Sequence, residues 1–204
     1  RNSDLKAMLR CVSFLMTWIV LFGCENRPID ELSAQDLAAR NRAVGLMGQY
    51  KYDEARQQLA ELSGNYPALP DLRVDLAIAT LNRQREGDET AALEILYKVL
   101  QQVPDNQRAL YTSGLLELNA GRASQAESSF TRVVEVDERD AYAAYYLALS
   151  LAQQDRHEEA LPWYNKAIEL DPHLRSAYYG GFQVLRQLRR ADEAREMLEV
   201  YQKL

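Results

Sequence analysis

The chain has 204 residues, 47% of them hydrophobic and 26% charged, with glycine and proline sparse, a balance that suits a globular, helix-rich chain. A formal net charge of −6 argues against a nucleic-acid-binding surface, which needs a basic stripe. The acidity reads instead as a solvated outer face.

The first 23 residues differ from everything after them. Arg10 precedes an uncharged run over 11–23, with Met8 as a natural start ahead of it. A membrane-spanning helix needs about 20 apolar residues, so the run is short for a span and suits the core of a signal peptide. It ends in Leu21-Phe22-Gly23-Cys24, which resembles the lipobox of bacterial lipoproteins. The resemblance implies that residues 1–23 are removed and that the Cys24 thiol forms a thioether to diacylglycerol. Cys11 would leave with the signal, so the mature chain could form no internal disulfide. An uncleaved anchor and a hydrophobic helix capping the rest of the chain remain as alternatives. Residues 24–33 are polar, contain Pro28 and read as a tether.

From Ser33, an N-cap with Asp36 three residues on, apolar residues recur three and four apart in ten blocks. These predict helices at roughly 34–49, 52–65, 71–85, 88–102, 106–120, 123–136, 140–154, 157–170, 174–188 and 191–203. A fixed step runs through them in Ala55, Ala92, Ala126, Ala160 and Ala194, with only the first interval slightly longer than the rest. Four residues after each stands Leu59, Leu96, Phe130, Tyr164 or Leu198. Prolines follow twelve residues on, at Pro67, Pro104 and Pro172. A helix-turn-helix period of about 34 residues predicts a solenoid. Pro162 conflicts with its helix unless it falls in the first turn. The last helix keeps Met197, Leu198, Val200, Tyr201 and Leu204, so either the chain continues or this end meets a partner, a homodimer among the options.

The units resemble tetratricopeptide repeats, with a small residue at position 8, alanine at 20, an aromatic at 24, alanine at 27 and proline at 32. Ala148, Ala160, Tyr164, Ala167 and Pro172 carry the full pattern, and Gly114, Ala126 and Phe130 carry part of it. The last unit departs, with Phe182 where a small residue belongs, and the second has Thr80 and a long polar turn at 84–88. The resemblance implies an all-α, right-handed superhelix of five repeats over 34–204, at about 36–69, 73–106, 107–140, 141–174 and 175–204. It also implies that the first helix of each pair lines a concave groove. Read onto this chain, positions 2, 5, 9 and 12 give Leu37, Arg40, Val44 and Met47, then Val74, Ala77, Leu81 and Gln84, then Arg108, Tyr111, Leu115 and Leu118. The last two units give Tyr142, Tyr145, Leu149 and Ala152, then Ser176, Tyr179, Gln183 and Arg186. Tyr111, Tyr142, Tyr145 and Tyr179 would form a binding stripe, with Tyr146 and Tyr178 filling the space between repeats. The family's clamp for carboxylate tails needs asparagine at position 9, where Val44, Leu81, Leu115 and Leu149 stand instead.

No catalytic set or cofactor site is suggested. His157 and His173 fall in different turns with no cysteine near them and read as solvent-exposed. Gly180-Gly181 sits inside a helix pattern, where close packing explains it better than a phosphate loop. The expected function is that of a scaffold, not an enzyme: a lipid-anchored protein facing the bacterial periplasm, the outer membrane favoured, that holds protein partners while an envelope machine assembles. Repeat lipoproteins that act as pilotins for type IV pilus secretins, or as adaptors for cell-wall enzymes, are the nearest resemblance. A subunit of an exopolysaccharide secretion complex and an accessory domain detached from a transferase are the alternatives.

Overall fold

The computed structural model describes residues 31–204, and the expectations placed on 1–30, Cys24 among them, lie outside the described residues. Among the described residues ten helices follow one another: α1 (Ala34–Gly48), α2 (Tyr52–Asn65), α3 (Pro70–Asn82), α4 (Asp88–Gln102) and α5 (Gln107–Asn119). Then come α6 (Ala123–Val136), α7 (Ala141–Ala152), α8 (His157–Leu170), α9 (Arg175–Gln187) and α10 (Ala191–Lys203). No strand occurs among the described residues. Each helix packs on the helices before and after it in the chain. The odd-numbered helices also touch one another, whereas the even-numbered ones do not. The array therefore curves with its odd-numbered helices on the inner wall.

The turn within each pair is built from one recurring device. Tyr50, Gly121, Asp155 and Arg189 all take left-handed φ, between 58° and 72°. The next residue's N–H then reaches back to a helical carbonyl, as in Arg122 N to Glu117 O at 2.8 Å and Arg190 N to Leu185 O at 3.0 Å. This closes the end of each odd-numbered helix and aims the chain into its partner. The second pair needs a longer turn. There Gln84 and Gly87 take positive φ, and the buried Asp88 carboxylate accepts from Arg85 N at 3.0 Å and from the Arg83 guanidinium. The first pair opens on a side-chain cap at Ser33, and two later pairs on caps at Asn106 and Asp140; their oxygens accept from Asp36 N, Ala109 N and Ala143 N. At α3 the start is Pro70 instead, pre-set for a first helical position.

Packing follows the period. Ala55, Ala92, Ala126, Ala160 and Ala194 are all buried where helices cross, and Leu59, Leu96, Phe130 and Tyr164 fill beside them. A Cβ on Gly114 would stand 2.8 Å from the Phe130 ring, so only a residue as small as glycine admits that ring. The odd last unit resolves in the same terms. Gly181, as far before Met197 in the chain as Gly114 is before Phe130, meets its Sδ where a Cβ would lie 2.5 Å away. The small-against-large contact has shifted by one position, which frees Phe182 to stay half-exposed under Arg186. Pro162 lies in the second turn of α8 on an exposed face, past the first turn where it would cost nothing, so one interior hydrogen bond is forfeited.

Candidate functional site

The inner wall is not one continuous stripe. Val74 and Ala77, expected in the groove, are fully buried among Leu96 and Val99 of α4 and Ala109 of α5. Leu118, expected there too, is buried against the pairs that follow. At these positions the adjoining helices pack over the side chains. The wall is instead built there by Asp75, itself 3% exposed, held between two arginines. Arg40 Nε lies 2.7 Å from one of its oxygens and Arg108 Nη2 lies 2.5 Å from the other, so one carboxylate ties α1, α3 and α5 together. Leu37 and Val44 stay exposed on α1.

The four tyrosines divide. Tyr111 packs edge-on against Phe130 at 5.6 Å and against Tyr146 at 5.8 Å, inside the aromatic core of the C-terminal half. Burial pushes its phenol well above the ordinary value, with Tyr146 and Asp140 adding to the effect. It is mainly a packing residue, because the bulky Phe130 and Tyr146 rings draw it into their cluster. Tyr146 stacks on Phe130 at 5.2 Å and 18° and fills the boundary between repeats, as expected. Tyr178 is half-buried, and its hydroxyl donates to Pro172 O at 3.3 Å. Tyr142, at 51% exposure, and Tyr179, at 45%, present their rings to solvent. Tyr145 does both: its ring lies 4.9 Å from Tyr146, and it is half-buried at the edge of an opening that Ser176 also lines. Leu115 and Leu149 are half-buried beside this cluster, and Arg186 covers the Phe182 ring at 5.6 Å.

Tyr145, Leu149 and Tyr179 meet at a pocket of about 540 Å³ between α7 and α9. Its floor is the Tyr164 ring and the backbone of Gly180, and Gln153, Gln183 and Gln187 bring amides to it. Gln183 Nε2 donates to the Tyr179 hydroxyl at 2.7 Å. His157 also lines it, which corrects the expectation of a solvent-exposed turn residue. It opens α8 rather than sitting in the turn, and the start of that helix tucks its ring under α7 and α9. Its Nδ1 is buried without a hydrogen-bond partner, and its Nε2 lies 3.8 Å from Asp155 Oδ1. The sequence held a signal for this pocket in Gly180, whose place in the preceding repeat is taken by Tyr146. Among the described residues, no group of three or more His, Cys, Asp or Glu could hold a metal ion, and no helix is long and apolar enough to cross a membrane.

Residues 111–174, the aromatic heart of the array, match the tetratricopeptide repeat family. The fold is a tetratricopeptide-repeat solenoid. The helical array superposes on MamA from Desulfovibrio magneticus RS-1 with a TM-score of 0.77, at 22% identity, covering 85% of this chain and 97% of that one. A further MamA crystal structure gives a TM-score of 0.73 at 18% identity, over 82% of this chain and 90% of that one. In sequence, the chain is 28% identical over 110 residues to the photosystem I assembly protein Ycf3 of Acaryochloris marina (strain MBIC 11017). That match spans 50% of this chain and 66% of the relative. It is 29% identical over 100 residues to the protein O-mannosyl-transferase Tmtc3 of Drosophila melanogaster, over 48% of this chain and 11% of the transferase.

Proposed function

We propose that this chain is a scaffold that binds protein partners along the inner wall of its array and carries out no chemistry of its own. The observation that carries the reading is the set of exposed and half-exposed tyrosines on α7 and α9, around an open pocket on that wall. Tyrosine offers a large contact area with few rotamers to freeze and a hydroxyl that can bond a partner's backbone. Repeat solenoids use such extended concave surfaces for binding. The tetratricopeptide match supports the protein-binding part of the reading, and the Acaryochloris marina relative is named for an assembly role.

The finer proposal is that Cys24 is lipidated and tethers the array to a bacterial envelope membrane, facing the periplasm, where it serves assembly of a pilus secretin or a cell-wall enzyme complex. The motif Leu21-Phe22-Gly23-Cys24 after an uncharged run supports it. The experiment is fractionation of the Cys24→Ser variant in a bacterial host. Loss of metabolically incorporated lipid label together with release from the membrane is expected. Retention of the variant in membranes with its N-terminus intact would show an anchor in place of a lipoprotein.

A further inference from the structure

The boundary between the fourth and fifth helix pairs differs from the one before it by one missing side chain. Phe130 and Tyr164 are equivalent residues one repeat apart, and so are Tyr146 and Gly180. At the earlier boundary the Tyr146 ring stacks on Phe130 at 5.2 Å and closes the space. At the later one Gly180 has no ring to offer. The Tyr164 ring moves against its backbone, where an added Cβ would stand 2.3 Å from Cε1. The pocket of about 540 Å³ is what this exchange leaves open, within the range of about 300–1,000 Å³ common to ligand pockets.

The chemistry of the lining is specific. No carboxylate, lysine or arginine is among its lining residues. The arginine and carboxylate pairs of the inner wall lie elsewhere, at Arg40, Asp75 and Arg108. A carboxylate, phosphate or ammonium entering the pocket would shed water with no opposite charge to meet it, which is costly. What the pocket does supply is an aromatic and aliphatic floor and amides at its sides.

We infer that this pocket is a socket for an uncharged stretch of an extended partner chain. One apolar or aromatic side chain would sit on Tyr164 and Gly180, and the adjoining peptide groups would bond the glutamine amides. The inference rests on the protein-binding reading above and adds its address and its selectivity. Neutrality sets it apart from recognition of charged chain ends.

The test uses the full chain, isotope-labelled, titrated with capped pentapeptides acetyl-Gly-Gly-Xaa-Gly-Gly-amide in which Xaa is Phe, Leu, Glu or Lys. The Phe and Leu peptides are expected to shift the resonances of Leu149, Gly180 and Val184, and to bind about tenfold or more tightly than the charged pair. Gln187→Trp, at an exposed rim position, should fill the mouth and abolish those shifts while helicity and melting temperature hold. Ala152→Phe, which fills the pocket from another side, should do the same. Equal binding of the Glu or Lys peptide, shifts that survive both filled variants, or no shift with any peptide would each overturn the socket. Shifts confined to Leu115, Tyr142 and Arg108 would overturn it too, while leaving the protein-binding reading standing. A response to maltohexaose with none to peptides would remove both.

Discussion

Glycine marks three different situations in this chain, and their environments predict opposite outcomes for one substitution. Gly180 lies against the Tyr164 ring, with Cε1 2.3 Å and Cζ 2.5 Å from where a Cβ would go. The ring is buried and cannot swing away, so Gly180→Ala forces the two helices apart, and overpacking of this kind costs about 1–3 kcal/mol. Gly45, inside α1, has nothing within 4 Å of its missing Cβ and helical φ. There Gly45→Ala removes only the entropy cost of a flexible residue and should stabilise by about 0.5–1 kcal/mol. Chemical denaturation of the two variants reads this directly, and a Gly180→Ala protein as stable as the parent would refute the close approach. Gly121 belongs to a third kind, since its φ of +72° serves the turn rather than packing.

At the level of elements, the first three pairs are joined by charge where the last three are joined by rings. Asp75 bridges Arg40 of α1 and Arg108 of α5 across the inner wall, with its side chain 4% exposed and the arginines 28% and 45%. The pairing satisfies a carboxylate that would otherwise be buried without partners. Asp75→Ala deletes two charge-assisted hydrogen bonds and leaves the guanidinium groups to water, an expected loss of roughly 1.5–3 kcal/mol. Arg108→Ala should cost less, because its stem is half in solvent and Arg40 still holds the carboxylate. If the double variant were destabilised by the plain sum of the two single ones, the bridge would not be the link between the helices. Glu117 plays a related part on α5, accepting from Arg122 in the following turn and from the Tyr97 hydroxyl of α4.

Across the whole molecule the core is graded. One large cluster runs from Leu118 through Phe130, Leu151 and Tyr164 to Ala194, while the earlier pairs share smaller clusters around Leu96 and around Leu59. Tyr111, Tyr145 and Tyr164 belong to the large one, and burial raises the phenol pKa of all three. The folded state therefore favours their neutral forms. That contribution is complete below the unfolded phenol value of about 10 and is lost as pH climbs through the raised folded values. Alkaline solution should thus loosen the C-terminal half selectively. A spectrophotometric tyrosine titration, run beside circular dichroism, should show three phenols ionising late and together with loss of helix. Uniform ionisation near pH 10 (about the free-phenol value) with helicity intact would contradict it.

The period, the ten helices and the buried alanines are legible in the amino-acid order alone, because small-against-large contacts repeated at a fixed interval leave few other ways to bury those faces. So are the place of Tyr146 between repeats and the service of the Gly180-Gly181 pair in close packing. Which wall positions reach solvent was settled in three dimensions. Val74, Ala77 and Leu118 occupy the same repeat positions as exposed residues elsewhere, yet they are buried in clusters with the adjoining helices. Tertiary packing drew Tyr111 into the aromatic cluster and left Tyr142 and Tyr179 outside, since that depends on ring contacts between helices far apart in the chain. It also brought His157 under α7 and α9 beside the opening that Gly180 leaves, a juxtaposition of residues from three helices that no local pattern encodes.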